Sequence, residues 1–216
     1  MAAGSTVPSN CTGCDLAHVN FQGRDLRNVA WVGVDLNGAD LRGADLRGAR
    51  LVGADMKHVL LSGARIDGIK LVGADLSSSD LQSLNFSGAQ LVGTDFKDSN
   101  LTRASFANDA LIGADFRGAR LSDADFSGAV LCIRGSDGHI GCSDFRDATL
   151  RGTNLRGSRI CDSGNLVMTF DGDTTTSIRT NDGHDDAHDD LNNCRALDAQ
   201  TLRVEGHADL TGAQGL

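Results

Sequence analysis

Two histidines four apart, His184 and His188 in HDDAHDD, and two cysteines three apart, Cys11 and Cys14 in CTGC, have spacings with chemical potential in this 216-residue chain. On a helix, positions four apart share a face, so the two imidazoles would hold a zinc ion and support hydrolysis by a metal-bound water. The glutamate that such a site uses as base is absent and the run has no helical patterning, so a solvated acidic turn is the preferred reading. CTGC has no second pair, which makes it a terminal staple before a redox or zinc centre. No nucleophile, base and orienting group occur together, and no phosphate-binding loop appears. The expectation is a chain that is not an enzyme and needs no cofactor, with a metal-dependent hydrolytic tail as the least favoured reading.

The six cysteines, Cys11, Cys14, Cys132, Cys142, Cys161 and Cys194, permit three disulfides in about 15 connectivities. Spacing favours Cys11 with Cys14, Cys132 with Cys142 across a short loop, and Cys161 with Cys194 closing the tail. That arrangement implies an oxidising compartment, secreted or periplasmic, whereas six reduced thiols would place the chain in the cytoplasm. No charged and apolar leader precedes the repeats, and residues 1–6 read as a starter on a trimmed chain. No apolar run approaches membrane-spanning length, so no membrane insertion is expected. The net charge of −9 is unevenly spread: residues 161–216 hold 11 acids and 3 bases, and the first 160 residues hold 18 and 17.

The elements that must position these groups follow from a period of five. Stepping by five from Leu16 to Leu131 gives 24 positions, all apolar: 15 Leu, 6 Phe, and one each of Trp, Met and Ile. Two residues before each centre the side chain is usually small, as in Ala39, Ala44 and Ala54, and between the two lies Asp, Asn or another polar residue. That is the in, out, in order of a strand, lasting only three residues. Two residues after the centre comes Gly at 14 of the 24, with Asn, Asp or Ser at many others, which marks a turn through positive φ. Short strands joined by corners wind into a coil whose turns stack at about 4.8 Å.

The ADLRGADLRGA pattern over residues 14–160 resembles the pentapeptide repeat family, whose motif is A(D/N)LXX. The resemblance implies an all-β fold, a right-handed quadrilateral parallel β-helix with 20 residues per coil. At that spacing Phe86, Phe106 and Phe126 fall on one wall, and Phe96 and Phe116 on the opposite wall. The pattern lapses after Leu131 and resumes at Phe145, with nine extra residues in the loop insertion 132–142. The domains read as an N-terminal cap (1–13), a β-helix of about seven coils (14–160) roughly 30 Å long, and an irregular, acidic C-terminal tail or cap (161–216). In the tail, LVMTF and TTTSIRT read as a hairpin and ADLTG as a stray repeat. Arg24 and Asp109 occupy inward small-residue positions, where an unpaired charge is costly.

The same modulus sorts the outward positions into two ladders. One is acidic: Asp15, Asp35, Asp55, Asp75, Asp95, Asp115 and Asp144. Such side chains bond nearby backbone amides, and Lys57, Lys97 and Arg117 stand close enough to balance part of the charge. The other is apolar: Val32, Val52, Val72, Val92 and Ile112, followed by Cys132. A contiguous apolar stripe wants cover, which the chain's own tail, a second copy or a foreign partner would supply. The leading expectation is a structural or binding scaffold that displays flat faces to a protein partner or to itself as a homodimer, without direct nucleic acid binding. The alternative is drawn from the resemblance: some members mimic a DNA duplex, bind DNA gyrase and protect it from quinolone-type inhibitors. The nearly neutral rod argues against that alternative.

Overall fold

The computed structural model describes residues 7–134, 140–145, 147–161, 166–171, 175–180, 195–196 and 203–205. Each repeat is built the same way. In Leu16–Val19, the Val19 N–H donates to the Leu16 carbonyl at 3.2 Å while the third residue, His18, has φ 57°, the signature of a type II turn. Glycine or another left-handed residue recurs at that place from Gly13 to Gly157. At Gly38 (φ 63°) a Cβ would also come within 2.5 Å of the His18 ring one coil away, so no larger residue fits without displacing the imidazole.

Coils stack in parallel register at a spacing of 20. The Leu16 N–H donates to the Asp35 carbonyl at 2.7 Å, Leu36 to Asp55, and Met56 to Asp75. Bridges run Asp15 to Asp35 to Asp55 to Asp75 to Asp95 to Asp115, then to Asp144 across the insertion. A chain that repeats every five residues and pairs every twenty has four walls. The first wall is centred on Leu16 and Leu36, the second on Phe21 and Leu41, the third on Leu26 and Leu46, and the fourth on Trp31 and Leu51.

Extended strands concentrate on the fourth wall. There β1 (Asn10–Thr12), β2 (Ala30–Val32) and β3 (Arg50–Val52) pair in parallel, with Cys11, Trp31 and Leu51 in register. The first rung therefore lies within the segment read as a cap, and it is fastened by the Trp31 indole N–H, which donates to the Pro8 carbonyl at 2.9 Å. At the other end β4 (Val130–Arg134) and β5 (Ile140–Cys142) form an antiparallel hairpin, and β6 (Arg159–Cys161) pairs in parallel with β4. The insertion is thus a side hairpin that leaves the coil phase unchanged. Beyond it, β7 (Leu166–Asp171) and β8 (Thr175–Thr180) form the expected hairpin, β9 (Arg195–Ala196) adds antiparallel to β6, and β10 (Arg203–Glu205) pairs with β7. Among the described residues no helix is long and apolar enough to cross a membrane.

The core is the inner column of each wall. Phe86, Phe106 and Phe126 stack at centroid separations of 4.7 and 4.8 Å, and Phe96, Phe116 and Phe145 stack opposite them at 5.0 and 4.9 Å. The two stacks meet edge to face, as at Phe106 and Phe116, 5.5 Å apart at 82°. Corner positions are most often alanine, with Val29, Val34, Val59, Ile69 and Leu84 also buried there, and those with hydroxyls return a bond to the backbone: Thr94 Oγ1 donates to the Leu71 carbonyl at 2.9 Å and Ser99 Oγ to Leu76 at 2.8 Å.

The two charges expected inside behave differently. Arg24 is exposed, which corrects the inward placement: its backbone keeps the ladder bond from the Asp45 N–H at 3.0 Å, and the long side chain reaches solvent. Asp109 is buried at 3% exposure. Its Oδ1 accepts the Gly88 N–H at 2.8 Å, in place of the carbonyl that the coil pattern offers there, and its Oδ2 has no partner. Burial pushes this carboxyl up to about 6, with the Gly88 N–H pulling weakly the other way.

Candidate interaction faces

The first wall gathers all seven acids of the ladder into one column. Each side chain before a centre can fold over its own turn: Asp15 Oδ1 accepts the Ala17 N–H at 3.1 Å, Asp35 that of Asn37 at 2.9 Å, Asp75 that of Ser77 at 3.0 Å, and Asp95 that of Lys97 at 2.8 Å. Cations thread the column from Asp55 upward. Lys57 lies 3.0 Å from both Asp55 and Asp75, and Lys97 lies 3.0 Å from Asp95 and 3.1 Å from Asp115. Arg117 lies 2.6 Å from Asp115 and 3.6 Å from Asp144. The hydrogen bonds that Lys57 donates to Asp75 and Asp55 raise its ammonium, and those that Lys97 donates to Asp95 and Asp115 raise that of Lys97. Partial burial works to raise Asp75 and Asp115, yet the bonds from Ser77 and Lys57, and from Arg117 and Lys97, hold both below the usual carboxylate range. The third wall, opposite the first, repeats the device. Arg27 brings Asp25, and Arg47 brings Asp45, down to about 2. The acids are therefore engaged in turns and, from Asp55 upward, in ion pairs, and the three cations offset part of the charge of the seven acids.

The fourth wall is different in kind. Val32, Val52, Val72, Val92 and Ile112 stand one above another: the N–H groups of Gly33, Gly53, Gly73 and Gly93 donate in turn to the carbonyls of Val52, Val72, Val92 and Ile112 at 2.9–3.0 Å. Val32 is 39% and Val92 41% exposed, and the three between and beyond them are half-buried. The residue before each centre here is Ala30, Arg50, Lys70, Gln90, Ala110 and Val130. None is an acid, so no side chain folds over the turn. The chain is extended there in β1, β2 and β3, while turns close at Leu71–Ala74, Leu91–Thr94 and Leu111–Ala114 in the coils above, and the wall is apolar and cationic. Sequence reasoning found the valines but missed Arg50 and Lys70 beside them. Their signal was the absence of Asp from the position that carries it on the other walls.

Of the cysteines, Cys11 and Cys14 form a disulfide that ties the fourth wall to its first corner. Cys132 and Cys142 are opposed backbone partners in the side hairpin. Cys161 ends β6, while Cys194, and His184 and His188 with their proposed zinc site, lie outside the described residues. Among the described residues no cluster of metal-ligating side chains occurs.

No curated protein matches the sequence. Solved structures similar to it include full-length QnrB1, a plasmid-mediated fluoroquinolone resistance protein, at 17% identity and a TM-score of 0.46, covering 95% of this chain and 90% of that one. Another is HetL, involved in heterocyst differentiation regulation in the cyanobacterium Nostoc sp. strain PCC 7120, at 24% identity and a TM-score of 0.32, covering 91% and 84%. The family model for pentapeptide repeats matches eight copies over residues 25–57, 60–98 and 98–132, the stretch in which the twenty-residue ladder and the five-residue turns coincide. With that agreement between repeat sequence and coil geometry, the chain belongs to the pentapeptide repeat family.

Proposed function

We propose that this chain is a non-catalytic display scaffold whose fourth wall docks a protein partner. The observation that supports the reading is the continuous, partly exposed column from Val32 to Ile112, flanked by Arg50 and Lys70 on a wall without acids. Two copies laid face to face would set like charges together, so a foreign protein with an acidic, apolar surface fits better than a homodimer. Such a partner matches the wall in both hydrophobicity and charge.

The experiment is the double substitution Val72→Arg with Val92→Arg, read by sedimentation, by melting temperature and by co-purification under native expression. Loss of the co-purifying protein at unchanged melting temperature is expected. A fall in mass to half would make the occupant a second copy, and loss of thermal stability would make it the tail. Identical behaviour of wild type and variant in all three readouts refutes the docking face.

Gyrase protection by duplex mimicry is the competing reading within the family. It needs an unbalanced negative field, and Lys57, Lys97 and Arg117 threaded through the acid column weigh against it. A supercoiling assay with and without a quinolone separates the two, and protection would overturn the scaffold reading.

A further inference from the structure

The fourth corner, where the fourth wall gives way to the first, differs from the other three. Its left-handed residue is glycine at every step: Gly13, Gly33, Gly53, Gly73, Gly93 and Gly113. The same place carries His18 and Asp98 on the first corner, Arg103 and Asp123 on the second, and Asn28 and Asn108 on the third, so positive φ alone does not demand glycine. A Cβ added at any of the six would meet no atom beyond its chain neighbours within 4 Å. The valine column therefore has a bare rim on one side. On its other side runs the column that holds Arg50 and Lys70.

Arg50 is exposed and Lys70 half-buried, and neither makes a salt bridge among the described residues. Arg27 and Arg47 on the third wall, by contrast, lie 2.6 and 2.7 Å from Asp25 and Asp45. Arg50 and Lys70 are bridged across one coil step, so their charges recur at about 4.8 Å. The valines repeat at the same step, and from Val32 to Ile112 they span four steps, roughly 19 Å. The cationic and apolar columns lie two residues apart along each rung, a separation of about 6.6 Å.

We propose that the occupant of the fourth wall is an amphipathic α-helix laid along the rod axis, its apolar stripe on the valine column and a line of acids on one flank over Arg50 and Lys70. The inference rests on the reading of that wall as a docking face and names the form of the partner. Spacing decides between the two elements a partner can offer. A strand along the axis presents same-face side chains about 6.6 Å apart, so it is half a coil out of step before its third contact. A strand laid along a rung meets the column at a single level, because β1, β2 and β3 are each three residues long. A helix repeats its face about every 5.4 Å, gains about 0.6 Å per coil, and reaches half a coil only at the far end of the column. About 13 residues of helix cover the column. Acids three or four apart on such a helix stand about one coil apart, as Arg50 and Lys70 do, and an acidic stripe sits beside an apolar one as e positions flank a and d. The glycine rim leaves room for the helix's other flank.

The test uses the full chain and three fluorescein-labelled peptides of about 18 residues, read by fluorescence anisotropy at low salt. The first has leucine at heptad positions a and d, glutamate at b and e, and alanine or glutamine elsewhere. The second has lysine for glutamate, and the third keeps the composition of the first but alternates apolar and polar residues in a strand pattern. The first is expected to bind at least about tenfold more tightly than either of the others, and to gain helical circular dichroism as it binds. Arg50→Glu with Lys70→Glu, at unchanged melting temperature, is expected to reverse the preference between the acidic and the basic helix. Absence of binding by the first peptide, equal affinity for the strand-patterned one, or a preference for acid that survives the charge reversal would each overturn the proposal. Such a failure leaves the docking face standing when Val72→Arg with Val92→Arg still releases the co-purifying protein. When that double variant also behaves as wild type, the face itself falls and the helix with it.

Discussion

Replacing Asp109 by alanine should stabilise the coil, and by an amount that depends on pH. Its carboxyl is pushed from 3.8 up to about 6 by burial, so the folded protein binds its proton more tightly than the unfolded chain does. Between those two values unfolding releases a proton. The stability associated with the protonated group is fully present below about 3.8 and is lost as pH rises through about 6. A displacement of about two pH units corresponds to roughly 3 kcal/mol at pH 8 and to only about 0.5 kcal/mol at pH 4. Alanine is the residue of the column on either side, Ala89 and Ala129, so the substitution leaves no overpacking and frees the Gly88 N–H for the Ala107 carbonyl. Urea unfolding of wild type and Asp109→Ala at pH 4, 6 and 8 should give a difference that widens by about 2 kcal/mol in favour of the variant. A difference independent of pH, or a variant less stable than wild type at pH 8, would refute the argument that burial with Oδ2 unpartnered destabilises the charged carboxylate.

Two further substitutions probe the core and the corners. Phe106→Ala removes a ring with four ring neighbours, Phe86, Phe126, Phe96 and Phe116. Urea titration should show a loss of about 3–5 kcal/mol, and a loss under about 2 would contradict close packing of the stacks. Gly38→Ala meets the His18 ring at 2.5 Å and a φ of 63°, whereas Gly43→Ala meets the same strain with open space beyond it. Melting temperatures should fall for both, further for Gly38→Ala, by an added amount worth about 1–2 kcal/mol.

How much of this was legible in the sequence follows from the period. The four walls, both phenylalanine stacks, the acid column and the valine column all depend on residues twenty apart becoming neighbours; the 24 apolar centres give the period of five, and the resemblance to the pentapeptide repeat family supplied the four sides of the coil. The exceptions were harder, because the pattern gives a residue's address and not the response of its surroundings. Arg24 and Asp109 have equivalent addresses at different corners. Arg24 is long enough to carry its charge out to water, and Asp109 is too short to do so. The acid-free fourth wall was present in the letters as a missing Asp, a signal visible only once the walls are separated.

The side hairpin at 132–142 shows how such a rod tolerates changes in chain length. Nine additional residues leave Asp144 above Asp115, with β4 and β5 paired antiparallel within the insertion. A deletion or duplication of twenty residues would likewise shorten or lengthen the rod by one storey and keep every façade aligned. Removing five would instead turn everything downstream by a quarter circle, bringing the valine column to an end against a neighbouring façade. Variation in length is thus quantised for this architecture, and the fourth wall can be lengthened only in whole storeys.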